Sequence, residues 1–158
     1  MSRTVVVMTN GTDQDLWLDI EGAREVRNVA GQMIQTGFQP DLVLSGPLRK
    51  MAETAAVIAE AYEQAGKQVA VRRDFRLRRG TIADALTKLN DERNVVVVAD
   101  RDQIQDAVYR MTNTWLRGGE PQYAQAIFLS SEMPDWPSAA QSHQNKIVRK
   151  LKPFEGPN

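Results

Sequence analysis

Cysteine is absent from the 158-residue sequence, and histidine occurs only once, as His143. These absences exclude disulfides, thiolate nucleophiles, cysteine-bound metals and any metal site that needs several histidines from one chain. No apolar stretch approaches the ~20 residues of a membrane-spanning helix, and the N-terminus lacks the apolar run of a secretion signal. We therefore expect a cytoplasmic protein that carries no cofactor.

An excess of charge of either sign is also missing, because 20 basic residues balance 20 acidic ones. A chain with zero net charge has no overall attraction to nucleic acid or to an anionic membrane. The apolar fraction of 42% is close to that of globular proteins, and the length suits one domain. We expect a single domain over residues 1–158, with residues 138–158 forming a C-terminal tail packed on it or extending from it.

Hydrophobic periodicity changes repeatedly along the chain. Continuous apolar runs rich in valine predict strands buried on both faces, whereas apolar residues three or four positions apart predict amphipathic helices. The predicted strands cover residues 5–8, 42–44, 95–99 and 124–129, with a short edge strand at 69–71, and the predicted helices cover residues 20–34, 48–62, 82–89 and 104–115. This alternation predicts an α/β fold, a three-layer α/β/α sandwich around a central, mostly parallel sheet.

In sheets of this kind, ligands bind beyond the carboxyl ends of the strands. The segments that follow the three strongest predicted strands are residues 9–15, 45–50 and 100–102. We therefore expect any binding or catalytic site to be formed by these three segments.

The same segments carry motifs that resemble those of a known family. The first strand runs into Thr9-Asn10-Gly11, the second into Ser45-Gly46-Pro47-Leu48, and the third into Asp100, while residues 18–22 precede the first helix. In order and spacing these motifs resemble the histidine phosphatase superfamily, the phosphoglycerate-mutase-like proteins, and in particular its short phosphohistidine-phosphatase-like branch. The resemblance extends over nearly the whole chain and implies a histidine-phosphatase-like fold.

The residues at the family's catalytic positions differ from those of the family. There, a histidine at the end of the first strand accepts the phosphoryl group, and two arginines and a second histidine hold the phosphate. By the resemblance, Asn10 replaces the nucleophilic histidine and Asp100 the second histidine, while Thr9 and Lys50 replace the arginines. An amide nitrogen has no available lone pair for attack, and an aspartate repels a phosphate.

These replacements support two hypotheses. The first is a catalytically degenerate histidine-phosphatase-like protein, a pseudophosphatase, that acts by binding an unidentified protein or a small anionic ligand. The alternative is a phosphatase or phosphohydrolase with altered or residual chemistry that uses Asp100 or a metal. Under the first hypothesis no residue is catalytic and no metal is bound, and the vestigial pocket holds its ligand through Thr9, Asn10, Gly11, Lys50, Asp100 and Arg101.

Charge patterns add three further expectations. Lys50 and Asp100 carry opposite charges at neighbouring family positions, so we predict a direct or water-bridged ion pair between them that occupies the place of the phosphate. Asp102 with Gln105 three residues later predicts a capping box at the start of the fourth helix. The cationic segment 72–79 is either solvated surface or a contact for an acidic partner or polyanion. The cationic segment 146–152 is expected to form a terminal helix with a solvated basic face, the alternative being an amphipathic tail that contacts a partner or a membrane surface.

Overall fold

A computed structural model describes residues 2–78 and 80–155 of the chain. Strands and helices alternate over most of this length, as the periodicity predicts. The strands are Arg3–Met8 (β1), Asp13–Gln14 (β2), Trp17–Leu18 (β3), Leu42–Ser45 (β4), Ala70–Arg73 (β5), Asn94–Val98 (β6), Ala126–Ser131 (β7) and Lys146–Leu151 (β8). The helices are Ile20–Gln35 (α1), Arg49–Gln64 (α2), Ile82–Leu86 (α3), Arg101–Thr112 (α4) and Trp136–Gln141 (α5), and a 3₁₀ turn, Phe75–Arg78, follows β5.

Six strands form one sheet in the order β5-β4-β6-β1-β7-β8, whereas β2 and β3 form a separate small hairpin. β4 pairs in parallel with β5 and β6, and β6 pairs in parallel with β1. β7 runs antiparallel to both of its neighbours, β1 and β8. The carboxyl ends of β1, β4 and β6 therefore meet at one edge, together with the amino end of β7.

The central strands are buried on both faces, which is why they consist of continuous apolar runs. Val6 of β1 belongs to a core formed with α1 and α2, whereas its neighbour Val5 belongs to a second core formed with α3, α4 and α5. The side chains of both valines are at most 1% exposed. This arrangement confirms the three-layer sandwich. Within the described ranges, no helix combines the length and apolar character needed to cross a membrane.

The C-terminal segment departs from its prediction. Residues 146–152 were expected to be helical, but Lys146–Leu151 form strand β8, which pairs with β7 at the edge of the sheet. A bulge in this pairing leaves Val148 exposed and lets Ile147 pack on one core while Leu151 is buried in the other. The open edge of β7 selects the strand, because its unpaired backbone groups need partners.

Helix α4 begins earlier than its apolar periodicity predicts. Its capping box joins Asp100 and Gln103, so the capping box expected at Asp102 and Gln105 is wrong by two residues. The helix therefore starts immediately after β6, at Arg101. This early start keeps Asp100 and Arg101 at the carboxyl edge of the sheet.

Candidate functional site

A cavity of about 430 Å³ opens at the carboxyl edge of the sheet. Five of the six residues predicted to hold a ligand line it: Thr9, Asn10, Lys50, Asp100 and Arg101. The parallel topology brings them together, since they follow β1 and β6 or lie in the first turns of α2 and α4. The remaining lining residues are Asp13, Leu48, Met51, Pro121, Gln122 and Tyr123.

Gly11, the sixth predicted residue, is not part of this lining. A Cβ atom at Gly11 would lie 2.4 Å from the carbonyl oxygen of Gly22, and one at Gly22 would lie 2.0 Å from that of Thr12. The chain leaving β1 thus passes directly against the first turn of α1, an approach that only glycine permits. The two glycines thereby position the neighbouring lining residues Asn10 and Asp13.

The Asp13 carboxylate is the partner of Lys50. Asp13 Oδ2 accepts a hydrogen bond from Lys50 Nζ at 3.1 Å and another from Asn10 Nδ2 at 3.0 Å. The side chains of Lys50 and Asp13 are 23% and 13% exposed. The predicted direct ion pair between Lys50 and Asp100 is therefore wrong, because Lys50 pairs with the carboxylate of Asp13 in the β2–β3 hairpin.

Asp100 serves the backbone of α4 instead. Its Oδ1 atom accepts from the Gln103 amide at 2.8 Å, and Gln103 Oε1 accepts from the Asp100 amide at 3.3 Å. Such a reciprocal cap satisfies amide groups that a helix start leaves unpaired. The metal role considered for Asp100 gains no support from its surroundings: the described residues contain no cluster of three or more potential metal ligands.

Thr9 is also committed to holding the protein together. Its hydroxyl donates to the carbonyl oxygen of Gln122 and accepts from the amide of Gln125 at 3.3 Å. The side chain thereby anchors the segment that brings Gln122 and Tyr123 into the cavity wall. Sequence reasoning missed these two residues because they precede a strand. Only the reversed direction of β7 places them at this edge, and no spacing in the sequence reveals that direction.

A buried carboxylate fixes the start of the same segment. Glu120 accepts from Gln125 Nε2 at 2.8 Å and from Lys150 Nζ at 3.1 Å, and its carbonyl oxygen accepts from Gln105. Burial opposes the charged form of Glu120, but the hydrogen bonds from Gln125 and Lys150 outweigh it and lower the pKa of the carboxyl group. Glu120 thus stabilises the wall of the cavity from behind.

A second cleft, of about 460 Å³, adjoins the first. The two share Arg101, Gln122 and Tyr123 in their linings. The lining of the second cleft also includes Phe154, which is 53% exposed, and the charged Lys152, both from the segment after β8. The two cavities therefore share part of one wall.

The described arginines of segment 72–79 do not line the first cavity. Arg76 donates to the Asp74 carboxylate through Nε at 3.0 Å and Nη2 at 2.8 Å. This bonding lowers the pKa of Asp74 and gives Arg76 a structural role in the turn. Arg72 is exposed on β5, and Arg79 lies outside the described residues. The cavity lining contains none of the described arginines of this segment.

His143, the one histidine of the sequence, lies away from the cavity. It is exposed and lies between α5 and β8. The first residue of β8, Lys146, pairs with Ser130, and Ser130 pairs with Thr4 near the amino end of β1. His143 therefore lies near the edge of the sheet opposite to the cavity.

No family model matches the chain, and no curated protein matches it. Solved structures, in contrast, match over almost the entire length. A candidate phosphohistidine phosphatase SixA from Nakamurella multipartita aligns with a TM-score of 0.73 and 18% identity, covering 98% of each chain. A protein histidine phosphatase SixA in complex with tungstate aligns with a TM-score of 0.72 and 16% identity, covering 95% of this chain and 97% of that one.

A phosphoglycerate mutase from Plasmodium falciparum aligns with a TM-score of 0.66 and 14% identity, covering 98% of this chain and 96% of that one. At such low sequence identity, the alignments show a similar fold and do not show a shared activity. These alignments cover nearly the whole chain, and they confirm the fold expected from the sequence motifs. The chain therefore has the fold of the histidine phosphatase superfamily.

Proposed function

We propose that this protein is a pseudophosphatase, which acts by binding a small ligand or a protein partner at the cavity and catalyses no phosphoryl transfer. The observation that carries the proposal is the bonding of Asn10. Its amide nitrogen donates to the Gly11 carbonyl oxygen at 2.7 Å and to Asp13 at 3.0 Å. The lone pair of an amide nitrogen is delocalised into its carbonyl group, so Asn10 has no lone pair for attack on phosphorus.

The charges around Asn10 support the same proposal. Phosphoryl transfer depends on cations or donors that stabilise the charge of the transferred group. In this cavity Lys50 is bound to Asp13, and Arg101 donates through Nε to the Pro121 carbonyl oxygen at 3.0 Å. The carboxylates of Asp13 and Asp100 balance these two cations. The lining therefore offers no surplus of positive charge to a phosphate.

The alternative function, hydrolysis with altered chemistry, would use Asp100 or a metal. One oxygen of Asp100 is occupied by the helix cap, and no metal-ligand cluster occurs in residues 2–78 and 80–155. No specific contact favours this alternative. It defines the result that would overturn the proposal.

The test is a single-turnover assay with phosphoramidate and with an aryl phosphate, each with and without divalent metal. We expect no product above the buffer blank, because loss of a nucleophile that acts within a unit costs on the order of 10⁶ in rate. Lys50→Met and Asp100→Asn are the matched controls. A contaminating phosphatase would give the same rate in all three preparations.

Turnover by the unmodified protein that disappears in Lys50→Met would identify the cavity as an active site and refute the proposal. Metal-dependent turnover that disappears in Asp100→Asn would instead establish the alternative function. The two variants therefore separate the two hypotheses without knowledge of the natural ligand.

A further inference from the structure

The cavity contains a carboxylate, that of Asp13, at the point where two hydrogen-bond donors converge. Asp13 Oδ2 receives both Lys50 Nζ and Asn10 Nδ2, at 3.1 and 3.0 Å. All three side chains line the same cavity. A phosphate-sized anion entering there would need the hydrogen bonds that the Asp13 carboxylate already accepts.

The backbone around Asp13 holds this carboxylate in place. Thr12, the preceding residue, donates through its amide and its hydroxyl to Glu25 of α1, each at 2.8 Å. The Asp19 amide donates to the Thr12 carbonyl oxygen at 3.1 Å, which closes the β2–β3 hairpin at its base. An acceptor held in position in this way loses little conformational freedom when it binds Lys50.

We infer that Asp13 determines the specificity of the cavity, as an internal carboxylate that binds Lys50 and Asn10 and excludes phosphate and similar anions. This inference rests on the proposed function, because it names the charge class of the ligand that the same site accepts. An entering anion meets the negative charge of Asp13 and finds Lys50 neutralised. The cavity therefore accepts ligands that carry no anionic group beside Lys50 and Asn10. This differs from the small anionic ligand expected from the sequence.

The experiment is a titration of inorganic phosphate into four proteins. Binding is measured by calorimetry or from the changes in amide chemical shifts. The proteins are the unmodified chain, Asp13→Asn, the double variant Asp13→Asn/Lys50→Met, and Asp15→Asn. Asp15 is an exposed residue of the same hairpin and forms no ion pair among the described residues. Asp15→Asn therefore removes the same charge without breaking the Lys50–Asp13 pair.

We expect the unmodified chain to bind phosphate with a dissociation constant above about 1 mM. Asp13→Asn should bind it at least about tenfold more tightly, because the variant keeps the shape of the side chain and releases Lys50. The gain should disappear in the double variant, and Asp15→Asn should behave as the unmodified chain. This pattern assigns the effect to the ion pair and excludes a change in net charge as its cause.

Submillimolar phosphate binding by the unmodified chain would overturn the inference, and so would a folded Asp13→Asn variant without any gain. Circular dichroism establishes folding, and Asp13→Ser removes the same charge should the asparagine variant fail to fold. The outcome is separable from that of the proposed function. Hydrolysis by the unmodified chain would refute the pseudophosphatase, whereas an unchanged phosphate affinity would refute the role of Asp13 alone.

Discussion

Asp100 and Gln103 cap the first turn of α4 reciprocally, each side chain accepting a hydrogen bond from the backbone amide of the other. The Gln103 side chain also donates to the carbonyl oxygens of Leu77 and Gly80. The cap therefore connects α4 with the turn that follows β5. Asp100 lies in the cavity wall, and through this connection it also stabilises the edge of the cavity.

Replacing Asp100 with alanine should lower the free energy of unfolding by about 1 kcal/mol, the usual value of a helix cap. Asp100→Asn removes the charge but keeps an accepting oxygen, so its stability should remain within about 0.5 kcal/mol of the unmodified chain. Urea denaturation of the three proteins measures both values. Equal losses in the two variants would show that charge, and not the cap, makes Asp100 stabilising.

The close approach of the Thr12 backbone to Gly22 should make Gly22→Ala strongly destabilising. A Cβ atom there would lie 2.0 Å from a backbone oxygen, and overpacking of this kind costs about 2–4 kcal/mol. Gly31 of the same helix provides the control, because its Cβ would meet nothing within 4 Å. Gly31→Ala should stabilise the protein by about 0.5–1 kcal/mol. Thermal or urea unfolding distinguishes the opposite signs, and two destabilised variants would contradict the argument.

Asn10→His should not create a working phosphatase. The new histidine would stand beside Thr9, whose hydroxyl is bound to Gln122 and Gln125, and beside a lysine neutralised by Asp13. Restoring one member of a catalytic unit recovers little activity while the others are missing. Incubation with phosphoramidate followed by detection of acid-labile phosphohistidine checks this expectation. Stoichiometric labelling of Asn10→His would contradict it.

Glu120 should make the stability of the protein sensitive to acid. Its folded-state pKa lies below the ordinary value of 4.5. Its contribution is therefore fully present above about pH 4.5 and is lost as the pH falls through the lowered value. Glu120→Gln should lower the free energy of unfolding at neutral pH by about 1–3 kcal/mol, with a smaller difference at about pH 3. Glu63→Gln, on the exposed face of α2, is the control. A difference that does not change with pH would contradict the prediction.

The central strands and the position of the cavity could be predicted from the sequence alone. A run such as Val95–Val98 is stable only where both faces of a strand are covered, so it requires a sheet between helices. In a parallel sheet the segments after such strands meet at one edge. This rule places Asn10, Lys50 and Asp100 around a common cavity before any contact is known.

The contacts inside the cavity could not be predicted in the same way. Sequence spacing brings Lys50 close to two carboxylates but does not choose between them. The choice of Asp13 depends on the Gly11–Gly22 approach, which positions the hairpin, and on the cap, which occupies Asp100. Strand β8 shows a similar ambiguity, because the apolar pattern of its six residues fits either a helix or a strand. Pairing with the free edge of β7 selects the strand.

Both outermost strands of the sheet carry positive charge and no negative charge. β5 presents Arg72 and Arg73, while β8 presents Lys146 and Arg149. Two copies of the chain that approach edge to edge would therefore meet like charges, whichever edges face each other. Cationic side chains on outer strands oppose open-ended strand pairing, so aggregation through the sheet is disfavoured although the whole chain has no net charge.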